Sequence, residues 1–172
     1  VSGHSGKWHM AIDHSAFPQP KDQGFDFTKH DLGESRAMRP HRLTGFATRD
    51  KADPYRLDAD GFPKDQMTLD AIDFMKANKS KPFFLYYAAW LVHTPIHSRS
   101  KALLEKYCKK LGVEYPSDPT GWPLLGQKNP YYCAMVEMLD HYVGQIIPYL
   151  EETPDPRRPG HFLIENTYVI LT

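Results

Sequence analysis

The feature that most constrains this chain is the stretch Pro82-Phe83-Phe84-Leu85-Tyr86-Tyr87-Ala88-Ala89, which runs apolar without alternation. A strand with one face in water alternates apolar and polar residues. An unbroken apolar run of this length predicts a strand buried on both faces, as in a parallel sheet covered by helices. Helical patterns stand on either side of it. Met67, Ala71, Phe74 and Met75 share one helical face and predict a helix over 65–78, with Pro63 just ahead and Asp65 at the positive end of the helix dipole. Tyr132, Met135, Leu139, Tyr142, Val143, Ile146 and Leu150 form a longer stripe and predict a helix over about 131–151, with a kink at Pro148. A short basic helix is predicted over 100–111. The run Asn166-Thr167-Tyr168-Val169-Ile170-Leu171-Thr172 reads as a second buried strand. Helices alternating with strands define an α/β fold with a mostly parallel sheet.

The remainder is irregular. Residues 12–63 scatter Gly and Pro with little periodicity, and the chain holds 15 prolines, against a usual share of ~5%. Such a stretch reads as surface loop, or as a segment that contacts substrate. The charge balance of 21 basic and 21 acidic residues excludes a basic nucleic-acid module and a polybasic membrane binder. No apolar run approaches the roughly 18 residues that a membrane span needs. No leader of charged, then apolar, then small residues is visible. The chain starts without Met and closes within an apolar run, so both ends read as truncations. Cys108 and Cys133 are too few for a disulfide framework, and spacing alone leaves their pairing open.

Histidine is abundant, with 9 residues, and directs attention to site chemistry. His4, His9 and His14 are five apart, a step that turns about 140° on a helix and changes face on a strand. A zinc site is therefore not expected there. Gly3-His4-Ser5-Gly6-Lys7 lacks the spacing and the Ser/Thr of a phosphate loop, and no Ser sits in a G-x-S-x-G elbow. Gly6-Lys7-Trp8-His9 differs in kind. In an extended segment Lys7 and His9 would point the same way and Trp8 would point back into the core. Two converging cationic donors suit a sulfate or phosphate oxyanion. The bland reading is an exposed lysine beside a core histidine. His93 follows the carboxyl end of the central apolar run, where α/β sheets place their ligands; a lone histidine there is as readily structural.

These segments carry a family resemblance. Gly6-Lys7-Trp8-His9-Met10 resembles the G-K-W-H-L motif of sulfatases. Lys81 to Ala88 followed by His93-Thr94-Pro95 resembles their P-F-F-L-Y strand and H-T-P turn. Tyr132 to Gly144, with Met135, Glu137 and Asp140, is similar to their helix of the form Y-x-x-M-x-E-x-x-D-x-x-x-G. Asn166 to Thr172 is similar to their N-T-x-V-I-x-T strand, and Gly24-Phe25-Asp26 to a G-F-D element. The motifs stand in family order over nearly the whole chain.

The resemblance implies the central part, residues 1–172, of a sulfatase catalytic domain. Its fold would be an alkaline-phosphatase-like sandwich with a mostly parallel sheet flanked by helices. It implies hydrolysis of a sulfate ester on a sulfated carbohydrate or aryl sulfate, with no nucleic acid and no membrane span, in a periplasmic or secreted protein. The family's nucleophile is a formylglycine made from a C/S-x-P-S-R motif, and its cofactor is calcium. Carried over by position, Lys7 would bridge nucleophile and sulfate, His9 would bond the formylglycine hydroxyl and aid sulfate release, and His93 would donate to a sulfate oxygen or the leaving ester oxygen. Neither Cys108 nor Cys133 lies in the nucleophile motif, and the calcium segment S-D-N-G is absent, so nucleophile and metal ligands are expected outside this chain. Met10-Ala11 replaces the usual Leu-Gly, and Val92 stands where Pro is common. Two alternatives remain at this point: a phosphodiesterase or phosphonate monoester hydrolase of the same superfamily, and a non-catalytic anion-binding remnant.

Overall fold

A computed structural model describes residues 1–8, 10, 18–29, 45–93, 96–115 and 128–172. The chain divides into two units: Val1–Ser35, Met67–Ala88 and Tyr142–Thr172 form the first, and Arg36–Gln66 with Ala89–His141 the second.

The first unit holds a 3-stranded sheet of β1 (Ser2–Gly6), β2 (Phe27–Lys29) and β3 (Phe84–Ala88) in the order β2-β1-β3. Both pairings are parallel, with His4 opposite Thr28 on one side and Tyr86 on the other. The apolar run therefore does form a strand in a parallel sheet, and among the described residues β3 lies at its edge. Its residues Phe84 and Tyr86 are 61% and 45% exposed, so the expectation of burial on both faces is corrected. The centre is β1, whose sequence Ser-Gly-His-Ser-Gly carries no strand signal at all.

Small residues suit β1 because α1 (Gln66–Asn78) lies directly against it. A Cβ on Gly3 would sit 2.8 Å from the Phe74 ring, and the Ser5 hydroxyl donates to the Met67 carbonyl at 3.1 Å. The Thr68 and Tyr87 hydroxyls, 2.8 Å apart, link α1 to β3. The predicted stripe of α1 is realised: Met67, Ala71, Phe74 and Met75 are all buried. Phe74, Met75, Ile72, Leu150 and Leu163 form the core of this unit, with Phe27, Leu85 and Ile146 packed around it.

The second unit contains α2 (Lys101–Leu111), which the sequence predicted within a residue. Ser100 caps it, its hydroxyl accepting from the Leu103 N–H at 3.3 Å. The long helix α3 (Pro130–Glu152) begins in the second unit and continues into the first. It passes through Pro148 without ending there. Of its predicted stripe Met135, Tyr142 and Leu150 are buried and Tyr132 is exposed, while Tyr131, Ala134 and Met138 are buried beside it. Leu104, Cys108 and Tyr131 make a separate small core.

The second predicted strand does not form. Leu163–Asn166 is a turn of 3-10 helix, and Tyr168, Ile170 and Leu171 beyond it are 98%, 82% and 91% exposed. The Thr167 backbone is extended, but an extended segment becomes a strand only through a neighbour's N–H and C=O groups, and no described residue pairs with this one. Among the described residues no helix is long and apolar enough to cross a membrane.

Candidate functional site

Lys7 comes directly after the carboxyl end of the central strand. Its N–H donates to the Ala88 carbonyl at 2.7 Å, so the last rung of the β1–β3 ladder is carried by Lys7 itself. Gly6, just before it, adopts a φ of 119°. There a side chain is strained, and an added Cβ would overlap the Ala88 carbonyl. The glycine is thus required by close approach as well as by conformation. It also ends the regular extension of β1 just before Lys7. Lys7 is half-buried.

Trp8 is half-buried too, and its placement agrees with the inward orientation expected. Its indole N–H donates to the Pro18 carbonyl at 2.9 Å, and its ring meets His4 edge-on at 5.2 Å and Phe25 at 6.1 Å. His9 lies outside the described residues.

The G-F-D element supports the same strand. Asp26 accepts from the Ser2 N–H at 2.8 Å and from the Ser2 hydroxyl at 3.0 Å, while its own N–H donates to the Ser2 carbonyl. The bond from the Ser2 N–H, then that from its hydroxyl, hold the Asp26 carboxyl below the usual carboxylate range. Phe25 packs against His4 and stacks on Phe84. These contacts make the motif a clamp on the start of β1.

His93 belongs to the second unit and is exposed, a few residues after β3. Its N–H donates to the Trp90 carbonyl at 3.1 Å, closing a turn. Trp90 and Leu91 are buried and anchor that turn. Thr94 and Pro95 lie outside the described residues.

Neither cysteine is in a disulfide. Burial, with Glu105 nearby, pushes the Cys108 thiol up, so this sulfur is not an activated nucleophile. Among the described residues no group of three or more His, Cys, Asp or Glu side chains could hold a metal ion. The described residues therefore do not fit a calcium centre.

Glu137, part of the helix motif, pairs across to the neighbouring helix. Lys106 donates to both its oxygens at 2.6 and 2.7 Å, tying α2 to α3. Partial burial pushes the Glu137 carboxyl up, but the hydrogen bonds from Lys106 and Tyr107 outweigh this and leave it below its ordinary value. Burial and the bond to Glu137 push the Tyr107 phenol up to about 12.

Sequence reasoning singled out Lys7, His9 and His93 but gave no role to His4 or Asp26. The signal for Asp26 was its place in the G-F-D element. For His4 it was the presence of a histidine inside an otherwise featureless central strand.

The fold defines the class first: a mixed α/β protein with an all-parallel sheet flanked by helices, a cationic residue at the end of its central strand. A family model described as Sulfatase matches residues 2–158. The chain belongs to the sulfatase family, and its sheet and helices agree with the alkaline-phosphatase-like fold. A search of curated proteins returns no match.

Proposed function

We propose that the chain is the central part, residues 1–172, of a sulfatase catalytic domain that hydrolyses the sulfate ester of a sulfated carbohydrate or aryl sulfate. The observation that carries this reading is the placement of Lys7. A parallel sheet presents ligand sites beyond the carboxyl ends of its strands, and Lys7 is fixed by its own main chain at the end of the central one. Its ammonium would donate to sulfate oxygens and offset the negative charge they carry while the S–O ester bond breaks and its electron pair leaves with the ester oxygen. His93 would donate to a sulfate oxygen or to the leaving ester oxygen, and His9 would add a further donor. Donors already in place at developing charge act without reorganisation, which is the main source of their catalytic value.

Formylglycine as nucleophile and calcium as cofactor belong to the proposal on family grounds alone. The chain lacks the C/S-x-P-S-R motif, and no step is assigned to either group. A periplasmic or secreted location rests on the same ground.

The test uses the full-length protein with nitrophenyl sulfate. Lys7→Ala and His93→Ala are each expected to lower kcat by roughly 10²–10³, the usual effect of removing one transition-state donor. The melting temperature should stay close to that of the parent. Near-normal turnover in both variants overturns the site assignment. Hydrolysis of bis(nitrophenyl) phosphate without hydrolysis of the sulfate ester moves the function to the phosphoester branch of the superfamily.

A further inference from the structure

His4 lies in the middle of the central strand and is fully buried. Three rings enclose it, with centroids at 5.2 Å for Trp8 and 5.5 Å for both Phe25 and Tyr86. A ring caged in this way has little freedom to rotate. Its Nε2 lies 3.3 Å from the Lys7 carbonyl oxygen. A carbonyl only accepts, so Nε2 carries the hydrogen in this contact.

Lys7 is outside every helix and strand, yet both its main-chain polar groups are engaged. The N–H is bonded to Ala88 of β3, and the carbonyl is met by the His4 imidazole. Gly6 fixes the approach from the other side, because nothing larger fits against Ala88. A lysine aims its charge through a long flexible stem. The direction in which that stem leaves the chain is set by the main chain at its root.

We infer that His4 is a positioning residue for Lys7, an inference that rests on the reading of Lys7 as a sulfate donor. Nε2–H holds the Lys7 carbonyl, and with it the starting point of the side chain that meets the substrate. A phenylalanine would fill the same cage but hold nothing. A glutamine would place an amide N–H near the position of Nε2, and an asparagine near that of Nδ1.

The experiment compares His4→Phe, His4→Gln and His4→Asn in the full-length protein, each alone and combined with Lys7→Ala. The probe is nitrophenyl sulfate, and hydrogen exchange is followed in the peptide that contains the Lys7 amide. His4→Phe is expected to lower kcat/KM about tenfold, the scale of one lost hydrogen bond with a small misplacement. In the Lys7→Ala background the same change should cost less than about twofold, because residues that act through one another are not additive. Exchange at Lys7 should rise in His4→Phe and return toward the parent rate in His4→Gln. Should His4→Phe fail to fold, His4→Asn takes its place, losing what His4→Gln keeps. Equal losses in both backgrounds, or unchanged exchange, overturn the inference and leave His4 a core residue. Failure of the underlying reading looks different. Lys7→Ala alone would then leave turnover near normal while exchange still responds to His4, which removes the catalytic purpose of the contact and overturns the inference on that side.

Discussion

Lys7 and His93 both follow parallel strands, but they are anchored in different ways. Lys7 is held through its own backbone, between the Ala88 carbonyl and the His4 imidazole. His93 is held through its neighbours: Trp90 and Leu91 are buried, and the histidine sits on the exposed side of the turn they fix. The first arrangement sets a position from the sheet itself and tolerates almost no change in the adjacent residue. The second sets a position from side-chain packing, which tolerates substitutions of similar volume. A residue at a strand end can thus be fixed by ladder geometry, whereas one on a turn depends on hydrophobic anchors.

Three changes sharpen or break this contrast. Trp90→Ala should have the largest effect on stability, roughly 3–5 kcal/mol for emptying a buried aromatic position. A thermal or denaturant melt would show it, and a loss under about 1 kcal/mol would mean that the turn at His93 has another anchor. Gly6→Ala comes next. Strain at this φ together with overlap on Ala88 should cost about 1–3 kcal/mol. Sulfate-ester turnover should drop with it, toward that of Lys7→Ala. Retained stability and turnover would show that the strand end is not the rigid fixture described.

The smallest effect is an alkaline one in the second unit. The Tyr107 phenol is pushed up to about 12 by burial and by Glu137. Its proton is held more tightly in the folded chain than in the unfolded one, whose phenol titrates near its ordinary value of about 10. The stability it contributes is complete below about pH 10 and is lost as pH rises toward about 12. In Tyr107→Phe this part of the alkaline decline in melting temperature should disappear. An unchanged decline would remove the Tyr107–Glu137 contact from the account.

The helices were legible because their buried faces repeat at helical spacing, as Met67, Ala71, Phe74 and Met75 show. The strand at Phe84–Ala88 was legible from its apolar run, but its place at the edge of the sheet was not. Strand β1 was invisible: its Gly3 and Ser5 answer to the close approach of α1, a tertiary demand that leaves no periodic signal. Strand β2 was hidden in a proline- and glycine-rich stretch for a related reason, since three residues paired to β1 are too short to show a pattern. Asn166 to Thr172 misled because β-branched and apolar residues mark a capacity to pair, not the presence of a partner. Lys7 and His93 came forward through motif order more than through spacing, and the structure adds what the motif does not contain, the hold of His4 on Lys7.

The strand order has a consequence for how the chain reaches its native state. Of the three strands β1 comes earliest in this sequence, yet it must receive β2 on one side and β3 on the other. Ser2 pairs with Phe84 across about 80 residues of intervening chain, a long loop to close before any reward is gained. During synthesis β1 therefore waits, with one flank open, until about half of this sequence has emerged. The low apolar content of Ser-Gly-His-Ser-Gly is then an advantage in time as well as in space, because a waiting strand of small and polar residues offers little for another chain to adhere to.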